Sequence, residues 1–245
     1  MLHLNQTLQK RMLEYKNILG IILARGNSKG IKNKKLLKLK NKSLIDIAIK
    51  NSKKSKKIGK LVFTSDSQNL INKVKNKIDI CIKRPKRLAT DTASSYDVAR
   101  HAVNWVQKNL NWNVDIVVIL PPTTPFRKSI DIDKTIDLLF KKKTNSAITI
   151  TEPTYTPYWM FTKNKKICKF LRPEGQKIQR RQDAPKAFQP AGMVYAIKKN
   201  LLFNMKGILP KKNTATYFVD KERAVNIDNM DDYNLAKIKL KKFTI

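Results

Sequence analysis

The residues with the clearest chemical potential sit together in "ARGNSKGIKNKK", residues 24–35, directly after the apolar run Ile18–Leu23. Gly26 and Gly30 let the backbone turn sharply and bring N–H groups close to an anion. Arg25 offers a two-pronged fork, and Lys29 and Lys34 offer point charges, all matched to phosphate oxygens. Such a loop is suited to holding a polyphosphate. It fits neither familiar glycine template: no G-x-G-x-x-G occurs, and Gly30 is followed by Ile31 and Lys32, not by the Lys-Ser/Thr pair of an NTPase phosphate loop. From the residues alone, a nucleoside-triphosphate loop and an ordinary basic turn both stay open.

The elements that must carry this loop read as alternating strands and helices. Short β-branched runs predict strands near 18–23, 60–64, 78–82, 115–120, 146–151 and 193–197, with helical patterns near 43–53, 67–75, 94–110 and 130–141. Runs as continuously apolar as "DIVVIL" imply burial on both faces, hence a mostly parallel sheet covered by helices. The fold class is α/β, doubly wound and mostly parallel. The basic loop then lies beyond the carboxyl end of the first strand, where open α/β sheets bind ligands. Leu4, Leu8, Met12 and Tyr15 recur at helical spacing, so residues 1–17 read as a helical extension ahead of a domain over 18–245. Residues 153–190 break the pattern, with proline, aromatic and basic residues and no helical period, and read as an irregular interaction arm.

Composition narrows the function classes. A chain of 245 residues can bury a sizeable core. Cys81 and Cys168 make no disulfide framework or metal spacing, and two histidines make a His-based zinc site implausible. No apolar run approaches the roughly 20 residues of a membrane span. The first residues lack the apolar core, about 7 to 15 residues long, of a signal peptide, so the expected location is cytoplasmic. The net charge of +34, from 52 Lys+Arg against 18 Asp+Glu, raises nucleic-acid binding as a function. The lysines are scattered over helix ends and loops without interleaved aromatics, so we read them as a solvated surface with no specific nucleic-acid partner.

The ordered set "LARGNSKG", "VFTSDS", "RPKRLATDTASS", "ILPPTTPFR", "RRQDAPKAF" and "NIDNMDDYNLA" resembles the cytidylyltransferases that activate N-acylneuraminic (sialic), legionaminic and pseudaminic acids, over nearly the whole chain from Ile18 to about Leu240. "LARGNSKG" and "RPKRLATDTASS" are its most specific parts. The resemblance implies a Rossmann-like nucleotidyltransferase fold with the arm at 153–190 serving dimerisation. It implies a nucleotide site formed by Leu23, Ala24, Arg25, Gly26, Asn27, Ser28, Lys29, Lys34, Arg84, Ala93 and Ser95. Arg25, Ser28, Lys29 and Lys34 would hold the triphosphate. It places Thr123 and Tyr195 in the sugar pocket, and has Arg181 and Gln182 reach a neighbouring subunit's site. A strand tyrosine such as Tyr195 is also a natural core residue. "ATDTASS" reads equally as a helix start capped by Asp91 or Thr92.

The family's Asp-x-Asp pair corresponds here to Asn226 and Asp228. Asp228 would be the hard oxygen ligand of Mg²⁺, with Asn226 offering only a neutral carbonyl oxygen; Asp228 is also placed to cap a helix starting near Met230. Three further departures are Pro121 for a glutamine, Ala191 for an asparagine, and Lys35 for the asparagine that usually follows the loop lysine. Pro121 and Ala191 bear on the acceptor sugar more than on the reaction type. The implied partners are CTP, a nine-carbon sugar acid and a second copy of the chain. The implied catalytic residues are Arg25, Lys34 and Asp228. A nucleotidyltransferase using another nucleotide or a sugar 1-phosphate would share the fold and the loop, whereas a basic nucleic-acid-binding protein would leave the ordered motifs unexplained.

Overall fold

Near-unbroken apolar runs form the centre of the sheet. β1 (Ile18–Leu23), β4 (Lys60–Ser65) and β6 (Ile116–Ile119) lie side by side, with β1 parallel to both neighbours. The computed structural model describes residues 17–26, 31, 33–205, 213–243 and 245. The expected N-terminal helix falls outside the described residues, as do Asn27, Ser28, Lys29 and Gly30 of the basic loop. A 7-stranded sheet runs in the order β5-β4-β1-β6-β10-β7-β11, with β5 at Ile80–Lys83, β7 at Ser146–Thr151, β10 at Gln189–Lys198 and β11 at Thr214–Phe218. β10 is antiparallel to both neighbours, and the remaining pairings are parallel. Two short strands, β2 (Lys38–Leu39) and β3 (Lys42–Ser43), pair outside this sheet.

The period-2 geometry of a strand sorts these apolar runs into two cores. Ile18, Ile22, Leu61, Phe63, Ile116 and Val118 pack on one face with α1 (Leu44–Lys53), α2 (Gln68–Val74) and α4 (Ser129–Lys141). Leu19, Ile21, Val62, Val117 and Ile119 pack on the other with α3 (Ser95–Leu110) and with Leu202 of α5 (Lys199–Asn204). Helices on both faces make the sheet doubly wound, as the sequence predicts. A third cluster joins Leu44 and Ile47 of α1 to Phe126, Val225, Ile227 and Ala236 of α6 (Met230–Lys239), drawing the C-terminal segment back beside the start of the chain.

Two helix starts differ from expectation. Ser94, not Asp91 or Thr92, caps α3: its hydroxyl accepts from the Asp97 N–H at 3.1 Å. Asp91 instead pairs with Arg25, and the Thr90 hydroxyl accepts from the Ala93 N–H at 3.2 Å, so the cap falls beyond that turn. Asn229, not Asp228, caps α6 in a reciprocal box with Asp232, which leaves the Asp228 carboxylate for other partners.

The arm is more regular than its sequence suggests. β8 (Phe161–Asn164) and β9 (Ile167–Phe170) form an antiparallel hairpin with the Phe161 and Phe170 rings 4.4 Å apart. Four-residue strands interrupted by lysines carry too few apolar positions to show an alternation. The expected strand at 193–197 in fact begins at Gln189: Gln189 and Pro190 pair with Thr151 and Ile150 before a register shift. Gly192, at φ +71, lies within that irregularity.

Candidate functional site

At the carboxyl end of β1, the Ala24 N–H still bonds the Thr64 carbonyl at 3.1 Å, and the Gly26 N–H then turns to the Asp66 carboxylate at 2.9 Å. A Cβ on Gly26 would sit 3.0 Å from the Ser67 Cβ, so glycine permits this close approach to the loop after β4. Asp66 also faces the Arg84 guanidinium at 3.6 Å, and Arg84 is itself fixed by its backbone N–H to the Ser65 carbonyl. Burial holds Arg84 below the ordinary arginine range, with the nearby Arg25 adding to the effect and Asp66 opposing it.

These residues open onto one cleft of about 250 Å³ lined by Leu23, Arg25, Arg84, Ala93 and Ser95. Five of the residues implied around a nucleotide, drawn from β1, the loop after β5 and the start of α3, thus converge. Ala24 is fully buried behind them. Arg25 forms an ion pair with Asp91 across the cleft. Asp66, Leu88, Thr90 and Val98 are not among the residues expected in the site, and Lys35 is expected only as a departure from the family pattern; of these, all but Asp66 also line the cleft. "TSDS" and "LATDT" carry Asp66, Leu88 and Thr90, but only the fold identifies which side chains face inward.

Lys34 and Lys35 stand in a 3-10 turn, Lys34–Leu36, entered through Asn33 in the left-handed region at φ 54. Lys34 is buried, and its ammonium donates to Asp228 Oδ1 at 3.0 Å and to the Asp228 carbonyl at 3.3 Å. The other carboxylate oxygen accepts from the Asn226 amide at 2.6 Å. Between them Ile227 is fully buried and its N–H bonds the Thr123 carbonyl at 2.9 Å, so the alternation throws Asn226 and Asp228 outward beside Thr123. Arg223 secures this segment: it makes two hydrogen bonds, at 2.8 and 2.9 Å, to the fully buried Asp131 carboxylate and a third to the Phe126 carbonyl. Arg127, buried almost completely, braces the preceding loop through the Pro121 and Met193 carbonyls.

Burial pushes Lys35 down to about 8, with Lys34, Arg25 and Arg84 adding to the effect and Asp228 opposing it. Among the described residues no group of three His, Cys, Asp or Glu side chains could hold a metal. Asp228 offers a single, largely exposed carboxylate beside the Lys34 ammonium. That donor set fits Mg²⁺, which binds through one or two carboxylates and completes its shell with phosphate oxygens and water.

Other expected residues lie elsewhere. Arg181 and Gln182 line a separate cleft of about 230 Å³ with Glu152, Thr156 and Phe188. Tyr195 faces Ile119 across the sheet and packs against the core containing Tyr96; burial raises its hydroxyl pKa. It is not among the residues lining the first cleft.

Sequence comparison matches residues 19–237 to the family described as cytidylyltransferase. The chain is 26% identical to post-translational flagellin modification protein B of Campylobacter coli, covering 92% of this chain and 95% of that protein. It is 28% identical to CMP-N,N'-diacetyllegionaminic acid synthase of Campylobacter jejuni, over 90% and 93% of the two chains. It is 27% identical to the N-acylneuraminate cytidylyltransferase of Escherichia coli O18:K1:H7, where it spans 51% of that longer protein. In three dimensions it is similar to a CMP:2-keto-3-deoxy-manno-octonic acid synthetase complexed with CTP, with a TM-score of 0.69, 14% identity and coverage of 92% and 99%. The doubly wound fold is therefore shared with solved structures, and no described helix is long and apolar enough to cross a membrane.

Proposed function

The chain belongs to the cytidylyltransferase family, and from that premise we propose that it transfers CMP from CTP to the anomeric hydroxyl of a nine-carbon 2-keto sugar acid, releasing pyrophosphate. The observation that carries the reading is the convergence of Leu23, Arg25, Arg84, Ala93 and Ser95 on one cleft, with the Lys34–Asp228 pair held by the adjoining turn. The names of the legionaminic and N-acylneuraminic relatives supply the acceptor class.

In this reading the anomeric oxygen forms a bond to the α-phosphorus, the bond from that phosphorus to the bridging oxygen of the β-phosphate breaks, and the hydroxyl proton is lost to solvent. Charge gathers on the departing pyrophosphate. Arg25 and Lys34, held in place by Asp91 and Asp228 before substrate arrives, share those carboxylates with the phosphates and neutralise it. The walls of the cleft hold the base and align the reacting atoms. Mg²⁺, held by Asp228 and the neutral carbonyl oxygen of Asn226, would supply further charge neutralisation on the triphosphate.

The arm at 153–190 serves a homodimer in the same proposal. Tyr155, Trp159, Phe161, Ile167 and Phe188 are exposed on it, and aromatic side chains are enriched at interface cores. Arg181 and Gln182 would then act at the partner's sugar pocket, which accounts for their distance from the first cleft. The test is pyrophosphate release with CTP, UTP, GTP and ATP, each offered with a panel of nine-carbon acids and Mg²⁺. The expected result is CTP-selective turnover yielding a CMP-sugar. Equal use of all four nucleotides, or turnover only with sugar 1-phosphates, would sink the proposal.

A further inference from the structure

The cations around the cleft are unequal. Arg25 is paired with Asp91, Arg84 with Asp66, and Lys34 with Asp228. Lys35 also lines the cleft, yet among the described residues it has no hydrogen bond and no ion pair. It is 9% exposed, so its stem is buried while the ammonium is left to the cleft. A charge held at the end of a buried stem without a partner is costly, and native chains normally pair it or place it in water. Here the neighbours make matters worse, since Lys34, Arg25 and Arg84 all oppose its charge. An arrangement that keeps one cation unpaired beside three paired ones is complete only when an anion enters.

We propose that the Lys35 ammonium binds a phosphate oxygen of the nucleotide and is the residue on which preference for a polyphosphate over a bare nucleoside chiefly depends. Arg25, Arg84 and Lys34 must each share or surrender a carboxylate to meet a phosphate, whereas Lys35 surrenders nothing. With a pKa near 8 it still carries its charge at neutral pH. The identity of the nucleotide rests on the cytidylyl-transfer reading, but the anion contact can be tested without it.

The experiment is calorimetric titration of wild type, Lys35→Gln and Lys35→Met with CTP, cytidine and inorganic tripolyphosphate. A charge-assisted hydrogen bond predicts a roughly tenfold to hundredfold loss of affinity for CTP and tripolyphosphate in both variants, with cytidine unchanged. The free variants should melt at or above the wild-type temperature, because each removes an unpaired charge that Lys34, Arg25 and Arg84 oppose. Unchanged CTP and tripolyphosphate affinities overturn the inference while leaving the cytidylyl reading intact. Equal losses for cytidine and CTP, or a melting point several degrees lower, also overturn it, since they mark a structural role. Lys35-dependent tripolyphosphate binding without cytidine preference supports the contact and counts against the cytidylyl reading. A wild type that binds neither polyphosphate defeats both.

Discussion

Replacing Lys34 with Met separates the catalytic and structural contributions of the cation nearest Asp228. Its ammonium makes two contacts with that residue, at 3.0 and 3.3 Å, and its stem is buried. Methionine keeps most of the apolar stem in place. The partner carboxylate is 66% exposed and returns to water, so the pair itself contributes at most about 1 kcal/mol to folding. The catalytic loss is larger. Removing one preorganised charge from a transition state in which negative charge grows costs about 3 to 4 kcal/mol, a hundredfold to a thousandfold in turnover. Pyrophosphate release at saturating CTP, alongside a melting curve, reads both effects. Adding Asp228→Asn tests whether the two act as a unit: the double variant should lose clearly less than the sum of the single losses. Turnover within about threefold of wild type, under 1 kcal/mol, would refute the assignment of Lys34 to the triphosphate. A fall in activity matched by a collapse in melting temperature would refute the claim that its role is chemical.

Arg223→Met should destabilise the chain by about 3 to 5 kcal/mol, because it removes both guanidinium hydrogen bonds from the fully buried Asp131 carboxylate and leaves it the Lys128 N–H; melting should fall by roughly 6 to 20 °C, and a shift under 2 °C would contradict this. Mixed Arg25→Ala and Arg181→Ala subunits, each inactive alone, should regain activity in exchanged dimers, whereas proven exchange without recovery rules out a crossed arm. Lys35 sits at about 8 when folded against 10.5 as its ordinary value. The unfolded chain therefore binds the extra proton between those pH values. The stability of wild type relative to Lys35→Gln should rise from pH 8 to 10.5, driven by burial and by Lys34, Arg25 and Arg84 against Asp228. A flat difference across that window would show that the ammonium is not held as described.

The parts of this fold written in local pattern were legible in advance. β1 and β6 are apolar on both faces because helices cover both, and Ser146–Thr151 matches its expected strand. Caps were harder: "TDTASS" offers several hydroxyls and carboxylates, and Arg25, distant in sequence, decides that Asp91 faces the cleft. The hairpin of the arm has no sequence signature, because Lys163 and Lys169 interrupt its short strands and Lys165 and Lys166 form its turn. In the site, glycine spacing and the motif order led to Arg25, Arg84 and Ser95. Lys35 could not be singled out, since a lysine's burial depends on packing from elements far along the chain, and its neighbour Lys34 has the same composition cue but a carboxylate partner.

That partnership closes over 194 residues of sequence. At synthesis rates of about 5 to 20 residues per second, roughly 10 to 40 seconds separate the appearance of Lys34 from that of Asp228. Once Val98 has been made, the nascent chain holds every residue that lines the cleft but still lacks the carboxylate. Only when Ile227 docks beside Thr123 does the carboxylate of Asp228 arrive. The ribosome therefore delivers the cleft-lining residues well before the carboxylate that pairs with Lys34.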